Sequence, residues 1–135
     1  MRDENCIFCK IIAGEIPSYK IYEDEHSFAF LDIAKDFEGH TLVIPKKHYE
    51  NLFDCPKEEL EYVIKAVQKI ANHYKVKGYD GINILNANGK SAEQSVFHLH
   101  FHIIPRKNND GLHIYPNYVV DDNMNLDEIL KKLKL

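Results

Sequence analysis

Residues 98–102 read His-Leu-His-Phe-His, three imidazoles in strict alternation with apolar side chains. A period of two belongs to a β-strand and not to a helix, because only in a strand do residues i, i+2 and i+4 share a face. A strand from Ser95 to Ile104, stopped by Pro105, therefore puts His98, His100 and His102 in one row, with about 6.6 Å between neighbours. Leu99, Phe101 and Ile103 then point the other way, into a core. Chance filling of solvent-facing positions is a poor account of a polar face made only of imidazole.

The rest of the chain supplies partners for such a strand. Lys20–Glu23 and Ser27–Asp32 flank the polar turn Asp24-Glu25-His26 and predict a hairpin, and Thr41–Ile44 predicts a third strand ended by Pro45. Pro56, with Glu58 and Glu59 after it, starts a helix that runs to about Tyr74. Leu60, Val63, Ile64, Val67 and Ile70 are expected on its buried face. Gly81–Asn86 predicts a fourth strand, residues 6–12 a short apolar helix or turn, 107–124 an irregular stretch, and Leu126–Leu133 a last helix. Strands in hairpins around one long helix define an α+β domain with a largely antiparallel sheet of about five strands. At 135 residues the chain is expected to be one domain, 1–135.

Composition narrows the function. A net charge of -4, with Lys46-Lys47 and Lys131-Lys132 scattered and not in a stripe, offers no footprint for duplex nucleic acid, although one local site can still hold a phosphate. No apolar run approaches ~18 residues and the N-terminus lacks the apolar core of a signal peptide, so the expectation is a cytoplasmic protein without a membrane partner. Cys6, Cys9 and Cys55 are odd in number, which argues against a disulfide framework; in a cytosolic chain Cys6-x-x-Cys9 is a metal or redox pair.

Two chemistries suit the histidine row. Histidines at i and i+2 can ligate a catalytic zinc, making a metal-dependent hydrolase. Alternatively the imidazoles act directly, one as nucleophile on phosphorus and another as proton donor to the leaving group. Neutral imidazole is nucleophilic at pH 7, and a backbone carbonyl suffices to fix its tautomer. Upstream, Asn88-Gly89-Lys90-Ser91 and Gln94-Ser95 form a donor-rich loop of the kind that holds phosphate oxygens.

His98-Leu99-His100-Phe101-His102-Ile103-Ile104 resembles the signature of the histidine-triad (HIT) family, His-φ-His-φ-His-φ-φ with φ apolar. Cys6–Ile12, Glu15-Ile16-Pro17, Phe30–Ile33 and Gly39–His48 resemble its Hint-like branch in the same order, so the likeness covers residues 6 to about 106 and leaves a variable tail, 107–135. The resemblance implies a homodimer whose sheets join across the interface, and a purine nucleotide or nucleotide conjugate bound beside the histidines. It implies His100 as nucleophile, His102 at the phosphate or leaving group, His40 as support from the neighbouring strand, and Ser95 on the α-phosphate. It implies Asp32 on the ribose hydroxyls, and Phe8, Ile11, Ile16, Phe30 and Ile33 around the base, with Asn88 and Gln94 in the phosphate loop. The reaction implied is cleavage of nucleoside 5′-monophosphate derivatives at the α-phosphorus; a dinucleoside-polyphosphate hydrolase or a nucleotide-binding module with vestigial catalysis are the alternatives.

The same resemblance implies a structural zinc held by Cys6, Cys9, His48 and His98. A closed Cys₂His₂ set leaves no position for water, and leaves His100 free of metal. Two departures stand out. Glu93 replaces the glycine that many relatives carry before the glutamine, and an asparagine common near Ala87 is displaced to Asn86 or Asn88.

Overall fold

In this computed structural model, which describes residues 2–115 and 118–135, β1 (Lys20–Glu23), β2 (Ser27–Leu31), β3 (Thr41–Pro45), β4 (Gly81–Leu85) and β5 (Phe101–Arg106) pair antiparallel in the order β1-β2-β3-β5-β4. α1 (Ile7–Ile12) precedes the sheet, α2 (Lys57–Val76) connects β3 to β4, and α3 (Leu126–Leu133) closes the chain. The expected irregular stretch 107–124 has neither helix nor strand among its described residues. No helix among the described residues is long and apolar enough to cross a membrane.

Every residue of β3 is buried because both faces of the sheet are covered. Ala29, Val43, Phe101 and Ile103 face α2 and pack with Val63, Ala66, Val67, Ile70 and Tyr74. Phe28, Phe30, Leu42 and Ile44 face the opposite side and pack with Phe8 and Ile11 of α1. Each fully buried aliphatic side chain in these layers contributes about 1.5–3 kcal/mol. His102 lies opposite Leu42 across the β3–β5 ladder, which puts it on the α1 side, while Leu99 joins the α2 side as the alternation requires.

Two expectations are corrected. The strand expected from Ser95 to Ile104 begins only at Phe101 and runs through Pro105 to Arg106. The chain bends at 96–98, and the Leu99 N–H donates to the Tyr49 carbonyl at 2.7 Å instead of to a sheet neighbour. Pro105 is tolerated because β3 pairs with β5 only as far as Ile103, so beyond it β5 has β4 alone beside it. On α2, Ile64 is 46% exposed, and Ala66 and Tyr74 complete the buried face in its place.

The turn into β3 delivers His40 and requires glycine before it. Gly39 has φ +77°, and a Cβ there would stand 3.0 Å from Pro105 Cγ.

Candidate active site

His98, His100 and His102 occupy three different environments and not one uniform row. The His98 ring is fully buried under the first turn of α1. Its Nε2–H donates to the Pro45 carbonyl at 2.8 Å, which leaves the Nδ1 lone pair pointing at two sulfurs and a second imidazole. Nδ1 lies 3.3 Å from Cys6 Sγ, 3.6 Å from Cys9 Sγ and 3.2 Å from His48 Nδ1, with Cys9 Sγ 3.5 Å from the same His48 nitrogen. All four ligand atoms lie within 4.8 Å of one another.

These separations suit a tetrahedral ion. Zinc–sulfur bonds of ~2.3 Å and zinc–nitrogen bonds of ~2.0–2.1 Å at tetrahedral angles place sulfur and nitrogen ~3.5 Å apart and two nitrogens ~3.4 Å apart. The surroundings suit thiolates as well: the Cys9 N–H donates to Cys6 Sγ at 3.4 Å and the Asp3 N–H to Cys9 Sγ at 3.5 Å. Burial works against these donors and pushes the Cys6 thiol up, while it holds the His98 ring down at about 4, so the imidazole is neutral, as a ligand must be. The cluster has the chemistry to hold a metal ion.

His100 is turned away from that cluster. Its Nδ1–H donates to the His98 carbonyl at 2.7 Å, so its Nε2 keeps a lone pair. Burial lowers its pKa, against the hydrogen bond to His98 and the charge of Asp32, and the edge of Phe8 packs against the ring at a centroid distance of 5.3 Å. The result is a neutral imidazole with one free nitrogen. Asn86 donates to the His100 carbonyl at 2.9 Å and fixes the backbone on the other side.

His100 opens onto a cavity of about 260 Å³ whose wall also includes Phe8, Ile11, Ile16, Phe30, Asp32, Ile33, Ser95 and His102. The lining thus combines apolar side chains with the polar groups of Asp32, Ser95 and the two histidines. One Asp32 oxygen accepts from the Ala34 N–H at 2.8 Å, while the second stands 3.7 Å from His40 Nε2. His40 stands behind His102, with Nε2 2.8 Å from His102 Nδ1. Burial, with the imidazoles of His100 and His40 alongside, pushes the His102 pKa down to about 4.

Two residues expected in the phosphate loop, Gln94 and Asn88, are not among those that line this cavity. Gln94 is buried and spends its whole amide on the loop: Oε1 accepts from Gly89 N at 2.8 Å and Asn51 Nδ2 at 3.3 Å, and Nε2 donates to the carbonyls of Glu50 at 2.7 Å and Val96 at 3.1 Å. Asn88 accepts from the Leu52 N–H at 2.8 Å and pairs with Asn86. Both therefore shape the loop from outside the cavity. Glu93, at φ 65°, edges a neighbouring recess with Asp36, His40 and His102 and does not line the nucleotide-sized cavity. Asp36, which nothing in the spacing singled out, bonds His40 Nδ1 at 2.8 Å.

The alternating His98, His100 and His102, leading into β5 of a five-stranded antiparallel sheet, are what a histidine-triad protein presents. The family model for the HIT domain matches residues 13–109, and the chain belongs to that family. It is 54% identical over 129 residues to an uncharacterized HIT-like protein of Methanocaldococcus jannaschii, covering 96% of this chain and 98% of that one. It is 48% identical over 105 residues to adenosine 5′-monophosphoramidase HNT1 of Saccharomyces cerevisiae, covering 78% of this chain and 65% of that one. A zinc-bound histidine-triad protein of Mycobacterium smegmatis superposes with a TM-score of 0.78 at 42% identity, over 84% of this chain and 83% of that one.

Proposed function

We propose that this protein is a nucleotide hydrolase that cleaves nucleoside 5′-monophosphate derivatives, such as phosphoramidates or acyl-adenylates of a purine nucleoside, at the α-phosphorus. The observation that carries this is the His100–His98 hydrogen bond, which leaves a neutral, buried Nε2 lone pair beside Asp32 and Ser95. The base enters between Phe8, Ile11, Ile16, Phe30 and Ile33, Asp32 accepts from the ribose hydroxyls, and Ser95 donates to the phosphate. His100 Nε2 attacks phosphorus, the bond from phosphorus to the leaving nitrogen or oxygen breaks, and that atom takes a proton through His102. Water then attacks the nucleotidyl-histidine, its proton returns to the protein, and His100 is released. The HNT1 relative, an adenosine 5′-monophosphoramidase, supports this choice of substrate class.

Cys6, Cys9, His48 and His98 would hold a structural zinc. Bound there, it would pin α1 and the segment before β5 together and thereby support the wall that carries His100. The zinc-bound M. smegmatis relative and the tetrahedral spacing of the four donors support this.

The working unit we infer is a homodimer of one-domain chains whose sheets join through β4, an edge strand with Ile84 and Leu85 about half exposed. Three free cysteines suit the reducing cytoplasm.

Steady-state hydrolysis of adenosine 5′-phosphoramidate by the wild type and His100→Gly tests the assignment. Turnover lost in the variant, at unchanged melting temperature and zinc content, is the expected result. Turnover retained in His100→Gly rules out His100 as nucleophile.

A further inference from the structure

His40 links two groups that the reaction above leaves unconnected. Its Nδ1 lies 2.8 Å from Asp36 Oδ1, four residues earlier, and its Nε2 lies 2.8 Å from His102 Nδ1. An ionised carboxylate only accepts, so the first contact is a donation from the His40 Nδ1–H. The second then has two possible forms. With His40 neutral, its Nε2 accepts, His102 keeps its proton on Nδ1, and the Nε2 of His102 has no proton to give. With His40 protonated, its Nε2–H donates, His102 accepts at Nδ1, and the proton of His102 sits on Nε2. Nδ1 of His102 is occupied by His40 either way, so Nε2 is the nitrogen with which His102 meets the cavity.

A carboxylate in hydrogen-bond contact favours the charged form of an imidazole, and so favours the second arrangement. Asp36 keeps its own charge: burial opposes it, but the hydrogen bond and charge of His40 and the Phe37 N–H outweigh that and hold the carboxyl below its ordinary range. The other ionisable groups around the pair are Asp32, 3.7 Å from His40 Nε2 and acting in the same direction, His100, whose ring centroid is 5.0 Å from that of His102, and Glu93, across the adjoining recess.

We propose that Asp36 is a positioning residue that acts through His40 to hold His102 as the neutral ring with its proton on Nε2, facing the nucleotide. This rests on the hydrolase assignment for its chemical meaning. As the bond to the leaving group breaks, His102 gives its Nε2 proton to the departing atom and takes the Nε2 proton of His40 at Nδ1. His40 ends neutral, still donating to Asp36, and one proton has moved from His40 to the leaving group. In the second step the proton of the attacking water enters at His102 Nε2 and the Nδ1 proton returns to His40, which restores the starting state.

The test uses the 135-residue, zinc-loaded protein with Asp36→Asn and Asp36→Glu, checked for melting temperature and metal content. Imidazole ¹⁵N shifts of His102 at pH 7 are expected to report the Nε2–H tautomer in the wild type and in Asp36→Glu, and a shift toward Nδ1–H in Asp36→Asn. With adenosine 5′-phosphoramidate, Asp36→Asn is expected to lose about tenfold in kcat with KM within about twofold. Its alkaline limb should move to lower pH by about one unit, the low end for a removed opposite charge; Asp36→Glu should restore most of both. An unchanged His102 tautomer together with an unshifted limb in Asp36→Asn overturns the proposal, as does equal loss of kcat in both variants with no shift. A wild type that does not turn over the phosphoramidate would instead overturn the hydrolase assignment, and the nitrogen shifts would still decide the coupling of Asp36 to His102.

Discussion

The Nδ1–H of His100 donates to the backbone carbonyl of His98 at 2.7 Å, while the side chain of His98 points into the Cys6, Cys9 and His48 cluster. One residue thus serves both centres, with its ring in the metal-type quartet and its carbonyl on the neighbouring imidazole. A side-chain carboxylate is not needed to set the tautomer of His100, because a backbone acceptor held by a buried cluster does so. Loss of the cluster should therefore reach the active site through the backbone.

Cys9→Ser is the direct test of that link. It should lose most of any zinc held there, lower stability on the order of 4 kcal/mol, the range in which removal of a metal site falls, and reduce activity by more than the unfolded fraction accounts for. Metal analysis and thermal melts check this. Wild-type zinc content in Cys9→Ser would remove Cys9 from the ligand set.

Asp32 lines the cavity, with one oxygen on the Ala34 N–H and the other 3.7 Å from His40 Nε2. Asp32→Ala should therefore weaken binding of a ribonucleotide through the lost hydrogen bonds to a charged acceptor. These are worth about 1.5–3 kcal/mol, or roughly 10- to 150-fold in Kd. A 2′,3′-dideoxy analogue should bind the two proteins alike. Calorimetry with AMP and with that analogue reads both values, and a full Asp32→Ala effect on the dideoxy compound would contradict the ribose role.

Stability should fall with acid in a way traceable to His102. Its pKa is pushed down to about 4 by burial and by the neighbouring imidazoles of His100 and His40, against about 6.5 in an unfolded chain. Between those values the unfolded state binds the proton and the folded state does not, so the contribution is present above pH 6.5 and disappears as pH falls toward 4. Thermal melts of His102→Asn should show a shallower decline across pH 6.5–4 than the wild type. An identical decline would show that other groups carry it.

Glu93 occupies the left-handed region, φ 65°, where a side chain costs about 1 kcal/mol relative to glycine. The residue lines the recess beside His102 and is not among those that line the main cavity. Glu93→Gly should raise the melting temperature by a few degrees and leave KM for a nucleotide substrate unchanged within about twofold. A lower melting temperature would mean that the side chain makes a compensating contact.

The alternating histidines and the Cys6-x-x-Cys9 pair were legible in the sequence because each is a spacing of distinctive residue types, whereas the apolar residues expected around the base came only with the family resemblance. The length of β5 was not. Alternation of side chains continues through any extended chain, and what ends the ladder before Phe101 is a bond from Leu99 to the carbonyl of Tyr49, a partner 50 residues away that leaves no mark in the pattern. Gln94 misleads for a related reason: a donor-rich loop looks the same whether its amide faces a phosphate or, as here, four groups of its own loop and of the residues around Glu50 and Asn51. Asp36 was silent because an Asp–His pair four apart is common, and its significance depends on His102 standing on the far side of His40.

The central claim is that His100 attacks phosphorus with a nitrogen that no metal holds. It is tested most directly by rapid mixing of the zinc-containing protein with adenosine 5′-phosphoramidate, acid-free quenching within milliseconds to seconds, and intact-mass measurement followed by peptide mapping. The expected result is a transient adduct of the mass of an adenylyl group on the peptide containing His100, absent from His100→Gly. Full turnover with no adduct at any time, or an adduct that persists in His100→Gly, would contradict the account.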